Sequence, residues 1–310
     1  MQNCPIEGIS VVIPVYNSDE VVADLVARVE GVLGALATDY ELVLVNDGSS
    51  DASWQRIAQL AAERPFVRGV DLMRNFGQHN ALLAGIREAR HAVVVTLDDD
   101  LQNPPEEIPK LAAALTPDVD VVYGTPVKPE HGFRRGVATY LTKLALRSAM
   151  GTDVARKVSP FRAFRRDLRD AFASYTGSYV SVDVLLTWGT TRFATVPVRH
   201  EPRRAGSSNY TFRKLASHAI NMATGFSTRP LRLASLVGFV FALLGLAVLV
   251  EVVVRKLVQG SPVPGFPFLA SIIAIFAGAQ LFALGIIGEY LARMHFRLMD
   301  KPPYAIRERI

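Results

Sequence analysis

Two long apolar stretches near the C-terminus limit the architecture more than any other feature. Leu233 to Val254 is 22 residues with a single charge, Glu251, and Phe266 to Gly288 is 23 residues with no charge and one glutamine. As helices rising about 1.5 Å per residue, each is long enough to cross the roughly 30 Å core of a bilayer. In hydrocarbon every backbone N–H and C=O needs an internal partner, so such stretches are expected to be helices. The Pro- and Gly-rich stretch Gly260–Pro267 joins them into a hairpin. Five basic residues flank the pair (Arg229, Arg232, Arg293, Arg297, Lys301), against Arg255 and Lys256 between the spans. That bias places both outer ends in the cytoplasm. Met1 to Ile13 lacks the basic start and apolar core of a signal peptide. The lone Cys4 fits a reducing compartment.

The preceding residues have another rhythm. Ile9–Pro14, Glu41–Asn46, Val67–Asp71, Ala92–Leu97 and Val119–Tyr123 are short Val-, Ile- and Leu-rich runs, as in strands buried on both faces of a parallel sheet. Helical patterns alternate with them over Glu20–Ala37, Asp51–Glu63, Gln78–Arg90 and Glu106–Leu115. Ser49 or Ser50 is expected to cap the second helix and Pro104-Pro105 to start the fourth. The expectation is a doubly wound α/β domain binding its ligand at the carboxyl ends of the strands. From about 130 to 198 the pattern predicts a basic helix pair, then strands around Trp188 and Ala194–Val198. Thr211 to Phe226 reads as an amphipathic helix at the membrane. The expected layout is therefore a soluble domain over 1–210, an interfacial helix and linker over 211–231, two spans over 232–292 and a cytoplasmic tail over 293–310.

Polar residues collect at the strand ends. Asp98, Asp99 and Asp100 close the fourth strand and are followed by Gln102. Massed carboxylates repel one another and resist desolvation, so they point to a divalent cation. Alternation along a strand would put Asp98 and Asp100 on one side and Asp99 on the other. With Gln102 they form an oxygen-only set suited to Mg²⁺ or Mn²⁺ shared with a diphosphate. Asp47, before Gly48, is placed to accept from a ribose hydroxyl or a base. Arg74 can meet diphosphate oxygens, and His79 is expected to make a local hydrogen bond. No GxGxxG or GxxxxGK[ST] loop follows a strand, which excludes dinucleotide oxidoreductases and P-loop NTPases.

Two basic clusters remain. Arg156, Lys157, Arg162, Arg165, Arg166 and Arg169 form one. Arg199, Arg203, Arg204, Arg213, Lys214, Arg229 and Arg232 lead to the membrane. Such a stripe suits a lipid phosphate. The net charge of +5 does not call for nucleic acid, and none is expected as a partner.

Together, VVIPVYN (11–17), VNDGSSD (45–51), RNFGQH (74–79), LDDDLQNPPEEIP (97–109), FRAFRR (161–166), RRAGSSNYTFRKL (203–215), FSTRPLRL (226–233) and GAQLFALGIIGEYLAR (278–293) resemble the membrane-anchored family 2 glycosyltransferases that load sugars onto polyprenyl phosphates. The resemblance implies a GT-A nucleotide-sugar domain and a metal at Asp98, Asp100 and Gln102. The donor would lie against Pro14, Tyr16, Asn17, Asp47, Arg74, Asp98 and Asp99. The acceptor phosphate would meet Arg162, Arg203, Arg204, Ser208, Asn209 and Tyr210. Asn209 stands where many relatives have Lys, and Pro160 where many have Asp. Asp183, Asp153 and Asp100 are the candidate catalytic carboxylates. The implied reaction is an inverting transfer, UDP favoured, to a lipid such as undecaprenyl phosphate at the inner membrane. A processive synthase would need more spans and a QxxRW motif, which neither Trp54 nor Trp188 supplies. A non-catalytic scaffold would have no use for the three aspartates. Gly238, Gly245, Gly278, Gly285 and Gly288 allow close helix packing, within the hairpin or in a homo-oligomer.

Overall fold

The computed structural model describes residues 7–126, 158–177, 179–201, 225, 228–259 and 265–310. Its centre is an eight-stranded sheet, β1 (Ile9–Val15), β2 (Tyr40–Asn46), β3 (Val67–Leu72), β4 (Val93–Thr96), β5 (Val121–Pro126), β6 (Arg162–Arg165), β7 (Phe193–Val198) and β8 (Ile306–Arg309). The spatial order is β7-β5-β6-β4-β1-β2-β3-β8. The four strands β3-β2-β1-β4 are parallel neighbours. Strand β6 runs antiparallel to both β4 and β5, and β7 is parallel to β5.

Burial explains why the parallel runs lack alternation. All seven residues of β1 are buried, because helices cover both faces. Helix α1 (Asp19–Leu36) puts Val22, Leu25, Val26, Val29 and Leu33 on one side of the sheet, at the three- and four-residue spacing of an amphipathic helix. Helix α2 (Ser53–Glu63) adds Ile57 and Leu60 to that layer. Helix α3 (Gln78–Glu88) covers the other side with Ala81, Leu82, Leu83, Ala84 and Ile86. It lies unusually close, since a Cβ on Gly85 would stand 2.4 Å from Val12 Cγ1 and 2.8 Å from Val45 Cγ2. Each fully buried Leu or Ile contributes roughly 1.5–3 kcal/mol.

The turn after β4 runs through Pro105 into a 3₁₀ turn and helix α4 (Ile108–Ala113), so the double proline does start this element. Neither Ser49 nor Ser50 caps the second helix, whose N-cap is Ala52. Asp51 Oδ1 accepts from the Ser53 N–H at 3.0 Å and from Ser53 Oγ at 2.6 Å. Ser49 and Ser50 instead bond to Asn17, in the loop after β1.

The second half departs further from expectation. The described part of the basic run forms β6 and a 3₁₀ stretch, Arg166–Phe172; residues 127–157, where the expected basic helix pair would begin, lie outside the described residues. Phe161, Ala163 and Phe164 are fully buried, because a strand inserted mid-sheet is covered on both faces. Trp188 sits in helix α5 (Val182–Gly189), not in a strand.

Helices α6 (Arg229–Gln259) and α7 (Phe266–Leu298) follow. At 31 and 33 residues they span roughly 46 and 50 Å. Arg229–Val254 and Ile275–Phe296 are long and apolar enough to cross a membrane, and neither span is buried within the protein. Phe276 seats against Gly245 and meets Phe241 edge-on at 5.8 Å, so Gly245 serves packing within the hairpin.

The tail expected at 293–310 is not a free tail. Helix α7 continues to Leu298, and Ile306–Arg309 then returns to the sheet as β8, antiparallel to β3. Its single apolar residue among three charged ones, Ile306, Arg307, Glu308 and Arg309, suits an edge strand and gives little local signal.

Candidate active site

Strand β1 lies between β2 and β4, so the chain leaves it in opposite directions and a crevice opens at the carboxyl ends. A cleft of about 250 Å³ occupies that place. Pro14 and Tyr16 line it from the end of β1, Asp47 from β2, Asn75, Gly77 and Gln78 from the β3–α3 loop, and Asp98, Asp99 and Asp100 from β4.

Of the residues expected to hold a nucleotide-sugar, Pro14, Tyr16, Asp47, Asp98 and Asp99 therefore converge, and Asp100 joins them. Asn17 and Arg74 are not among the lining residues. Asn17, at φ +51°, accepts from the Ser50 N–H at 2.8 Å and braces two loops. The Arg74 guanidinium stacks over the Phe76 ring at 4.3 Å. Gln102 also lies off the cleft, its N–H donating to Asp100 Oδ1 at 3.1 Å. Its carbonyl accepts from the Glu201 N–H at 2.8 Å.

Asp47 is 3 % exposed, and both carboxylate oxygens are engaged. One accepts from the Phe76 N–H at 2.7 Å, the other from the Gly77 N–H at 2.9 Å. Burial raises its pKa, and the two N–H donors offset only part of that. Asp47 thus fixes the β3–α3 loop as a wall of the cleft. Gly48 permits this closeness, because at φ +65° a Cβ there would fall 2.4 Å from Arg74 C and Asn75 N.

The three aspartates do not follow strand alternation. Strand β4 ends at Thr96, and the acidic residues lie in a turn that Leu101 closes at φ +58°. Asp99, expected to point away, lines the cleft and accepts from Ser18 Oγ at 2.6 Å and from the Tyr16 N–H at 3.2 Å. Burial raises its pKa. Asp98 accepts from Gln78 Nε2 at 2.6 Å. Its pKa is pushed up to about 7, first by burial and then by the charges of Asp100 and Asp99, with Arg162 and Gln78 opposing.

The donor set fits a hard divalent cation. Among the described residues no three acidic, His or Cys side chains form a closed metal cage. A site of one or two carboxylates completed by water and substrate phosphate is how Mg²⁺ and Mn²⁺ usually sit. Asp98 and Asp100, crowded at one wall of an open cleft, are the residues that would supply that half-site. A dication there would neutralise the charge a departing diphosphate develops.

Behind the acidic turn lies a closed network. Arg162, expected at the acceptor phosphate, is 1 % exposed and ion-paired with Asp183, itself 5 % exposed. Arg162 Nε also donates to Thr96 Oγ1 at 2.9 Å, and Tyr123 OH donates to Asp183 Oδ1 at 3.1 Å. The Tyr123 hydroxyl is raised well above the usual range by burial and by the Asp183 charge. Asp183, a candidate base, is thus committed to Arg162. The positive charge of Arg162 is felt at Asp98, so it backs the acidic corner from inside. His79 Nδ1 accepts from the Val182 N–H at 3.4 Å, a partner 103 residues away in the chain where a local one was expected.

Asp153, Arg203, Arg204, Ser208, Asn209 and Tyr210 lie outside the described residues. Sequence reasoning missed Asn75, Gly77 and Gln78 as cleft residues. Gln78 had a signal, being the polar first residue of a helix that starts beside a strand end.

Known proteins agree with this architecture. The sequence pattern of "Glycosyl transferase family 2" matches residues 10–172. The chain is 35 % identical over 99 % of its length, and 92 % of the relative's, to the undecaprenyl-phosphate 4-deoxy-4-formamido-L-arabinose transferase of Pseudomonas fluorescens (strain Pf0-1). It is 36 % identical to the transferase of that name from Proteus mirabilis (strain HI4320), over 98 % of this chain and 94 % of that one. Its fold is similar to that of glucosyl-3-phosphoglycerate synthase from Mycobacterium tuberculosis, crystallised with Mn²⁺, UDP and glucosyl-3-phosphoglycerate. The TM-score is 0.53 at 20 % identity, covering 70 % of this chain and 78 % of that chain. A GT-A-like mixed sheet, the family match across most of that sheet and full-length relatives lead to one assignment: the chain belongs to glycosyl transferase family 2.

Proposed function

We propose that this glycosyltransferase moves a sugar from a UDP-sugar to a polyprenyl phosphate, such as undecaprenyl phosphate, at the cytoplasmic face of the inner membrane. The observation that carries the reading is an acidic cleft at the carboxyl ends of the strands, in a domain whose strands β7 and β8 flank a pair of apolar helices in the chain. The full-length relatives act on undecaprenyl phosphate, and the structural neighbour binds UDP with Mn²⁺. Because β8 pairs with β3 after α7, the chain leaving the hairpin returns to the sheet that precedes it. That supports a topology with the domain and both termini on the cytoplasmic side, where the flanking arginines also direct them.

The donor diphosphate sits against Asp98 and Asp100, with Mg²⁺ or Mn²⁺ as the cofactor and Gln102 steadying the acidic turn. The nucleoside lies along Pro14, Tyr16 and the wall that Asp47 fixes. Asn17 shapes the loop, Arg74 approaches the diphosphate from the rim, and Asp99 locks the β1–α1 loop to the acidic turn. A phosphate oxygen of the acceptor attacks the anomeric carbon from the face opposite the leaving group. The C–O bond to the diphosphate breaks, and the product is a lipid-monophosphate-linked sugar of inverted configuration. The second pKa of a phosphate monoester is about 6, so the acceptor is largely dianionic and needs little proton removal. This agrees with an Asp183 locked to Arg162 and acting by position. Arg203, Arg204, Ser208, Asn209 and Tyr210 are proposed to receive the acceptor phosphate, and Asp153 remains a candidate carboxylate beside them.

The test is transfer in detergent, with Mn²⁺, a panel of UDP-sugars and undecaprenyl phosphate. Release of UDP with a new lipid-linked sugar is expected, and no reaction with undecaprenol, which lacks the phosphate. Absence of turnover across the UDP, GDP and dTDP sugars would refute the reading.

A further inference from the structure

The last seven residues, Tyr304 to Ile310, touch the wall of the cleft from behind. Strand β8 pairs with β3, and Ile310 exchanges two backbone hydrogen bonds with Gly69, both at 3.0 Å. Gly69 leaves room for this, because a Cβ there would fall 2.7 Å from Ile310 Cγ1. At the other end of β8 the contacts concentrate on Met73, the residue that opens the β3–α3 loop. The Met73 N–H donates to the Ala305 carbonyl at 2.9 Å, and Arg307 Nη2 donates to the Met73 carbonyl at 2.8 Å. The second arm of the same guanidinium reaches Asp71 Oδ2 at 3.1 Å.

Asp71 is 1 % exposed, and its other oxygen accepts from Asn46 Nδ2 at 2.6 Å. Asn46 immediately precedes Asp47, which holds the Phe76 and Gly77 N–H groups. Both ends of the loop from Met73 to Gly77 are therefore tied, one by Arg307 and the other by Asp47. The two ties meet through the Asp71–Asn46 bond. We propose that the C-terminal segment is a positioning element for the cleft and that Arg307 is its positioning residue, gripping the loop that presents Asn75, Gly77 and Gln78. The inference rests on reading the cleft as the nucleotide-sugar site. It makes the segment beyond the second span part of the donor site.

The neighbouring arginine supplies a control. Arg309 Nε donates to Glu88 Oε1 at 2.9 Å, at the far end of α3 from the cleft. Both arginine side chains are more than half exposed, at 57 % for Arg307 and 56 % for Arg309, so neither is needed to fill the core. They differ in whether they hold the loop.

The experiment is hydrogen exchange on the full-length protein in detergent, without substrate, followed by kinetics with the donor sugar nucleotide. Arg307→Ala should speed exchange at Phe76 and Gly77 about tenfold, as expected when local opening becomes easier. It should also raise KM for the donor about five- to tenfold, leaving kcat and the lipid KM within about twofold. Arg307→Lys, which keeps one charged donor, should recover part of both effects. Arg309→Ala should leave both readouts within about twofold of wild type. Unchanged Phe76 and Gly77 exchange in Arg307→Ala overturns the proposal, as does an equal change in Arg309→Ala. The exchange measurement needs no substrate. A wild-type protein that fails to bind UDP with Mn²⁺ would therefore count against the site reading and not against the clamp.

Discussion

A buried carboxylate, Asp183, and a partly exposed group of three, Asp98 to Asp100, are handled in opposite ways. Asp183 is enclosed with Arg162, Thr96 and Tyr123, and its charge is answered inside the protein. Asp98, Asp99 and Asp100 line an open cleft, where Asp98 accepts from the neutral Gln78 amide and burial and mutual repulsion push its pKa up to about 7 against the opposing charge of Arg162. A group satisfied within the fold holds structure together. A group whose like charges crowd together at the rim of a cleft is arranged for something that arrives from outside. The difference separates a structural carboxylate from one reserved for a cation and a diphosphate.

The largest expected effect breaks the open group. Asp98→Ala or Asp100→Ala should lower transfer by about a thousandfold or more, since a cation half-site is lost. The melting temperature without metal should hold or rise, because like-charge repulsion is relieved. Near-normal turnover would show that the cleft does not use them.

Breaking the closed group should act on stability first. Asp183→Asn leaves the Arg162 charge buried without its counter-ion and should cost about 3–5 kcal/mol by denaturant titration. Replacing both members of the pair by apolar residues of similar volume should recover most of that loss. Per folded molecule, turnover of Asp183→Asn should fall by less than about tenfold; a loss of several orders of magnitude would make Asp183 a base.

Another satisfied carboxylate, Glu41, sharpens the contrast through pH. Burial opposes ionisation of Glu41, yet hydrogen bonds from Ser10, the Arg90 N–H and Arg68 outweigh it and hold the pKa below its usual value. A folded-state pKa below the unfolded one gives stability that is present above the unfolded value, about 4.3, and is lost as pH falls through the folded one. Denaturant midpoints should drop below about pH 4.5 in the wild type, and Glu41→Gln should flatten that fall. An identical acid limb in both proteins would remove Glu41 from the account.

The smallest effect concerns the packing of α3 on the sheet. Gly85→Ala places a Cβ against Val12 and Val45, so α3 must shift at a cost of about 1–3 kcal/mol, read as a lower thermal midpoint.

Much of the first half of the molecule was legible in the sequence because its signals are local. Four parallel strands buried on both faces read as continuous apolar runs, and α1 shows its spacing within one helix. The aspartates stood out because nothing in packing explains three in a row. What was missed depends on partners far away in the chain. Arg162 read as part of a basic surface because its counter-ion Asp183 is distant in sequence. Strand β8 carries one apolar residue among three charges and is specified by β3, across more than 230 residues. Gln78 joins the cleft through a loop contact with Asp98 that no periodicity announces.

The central claim is that the acidic turn binds a dication together with a nucleoside diphosphate. Titrating the full-length protein with UDP by calorimetry, with Mn²⁺ and then with EDTA, tests it directly. Binding that requires Mn²⁺ and disappears in Asp98→Asn and Asp100→Asn is the expected result. UDP bound with the same affinity in EDTA, or by both variants, would contradict it.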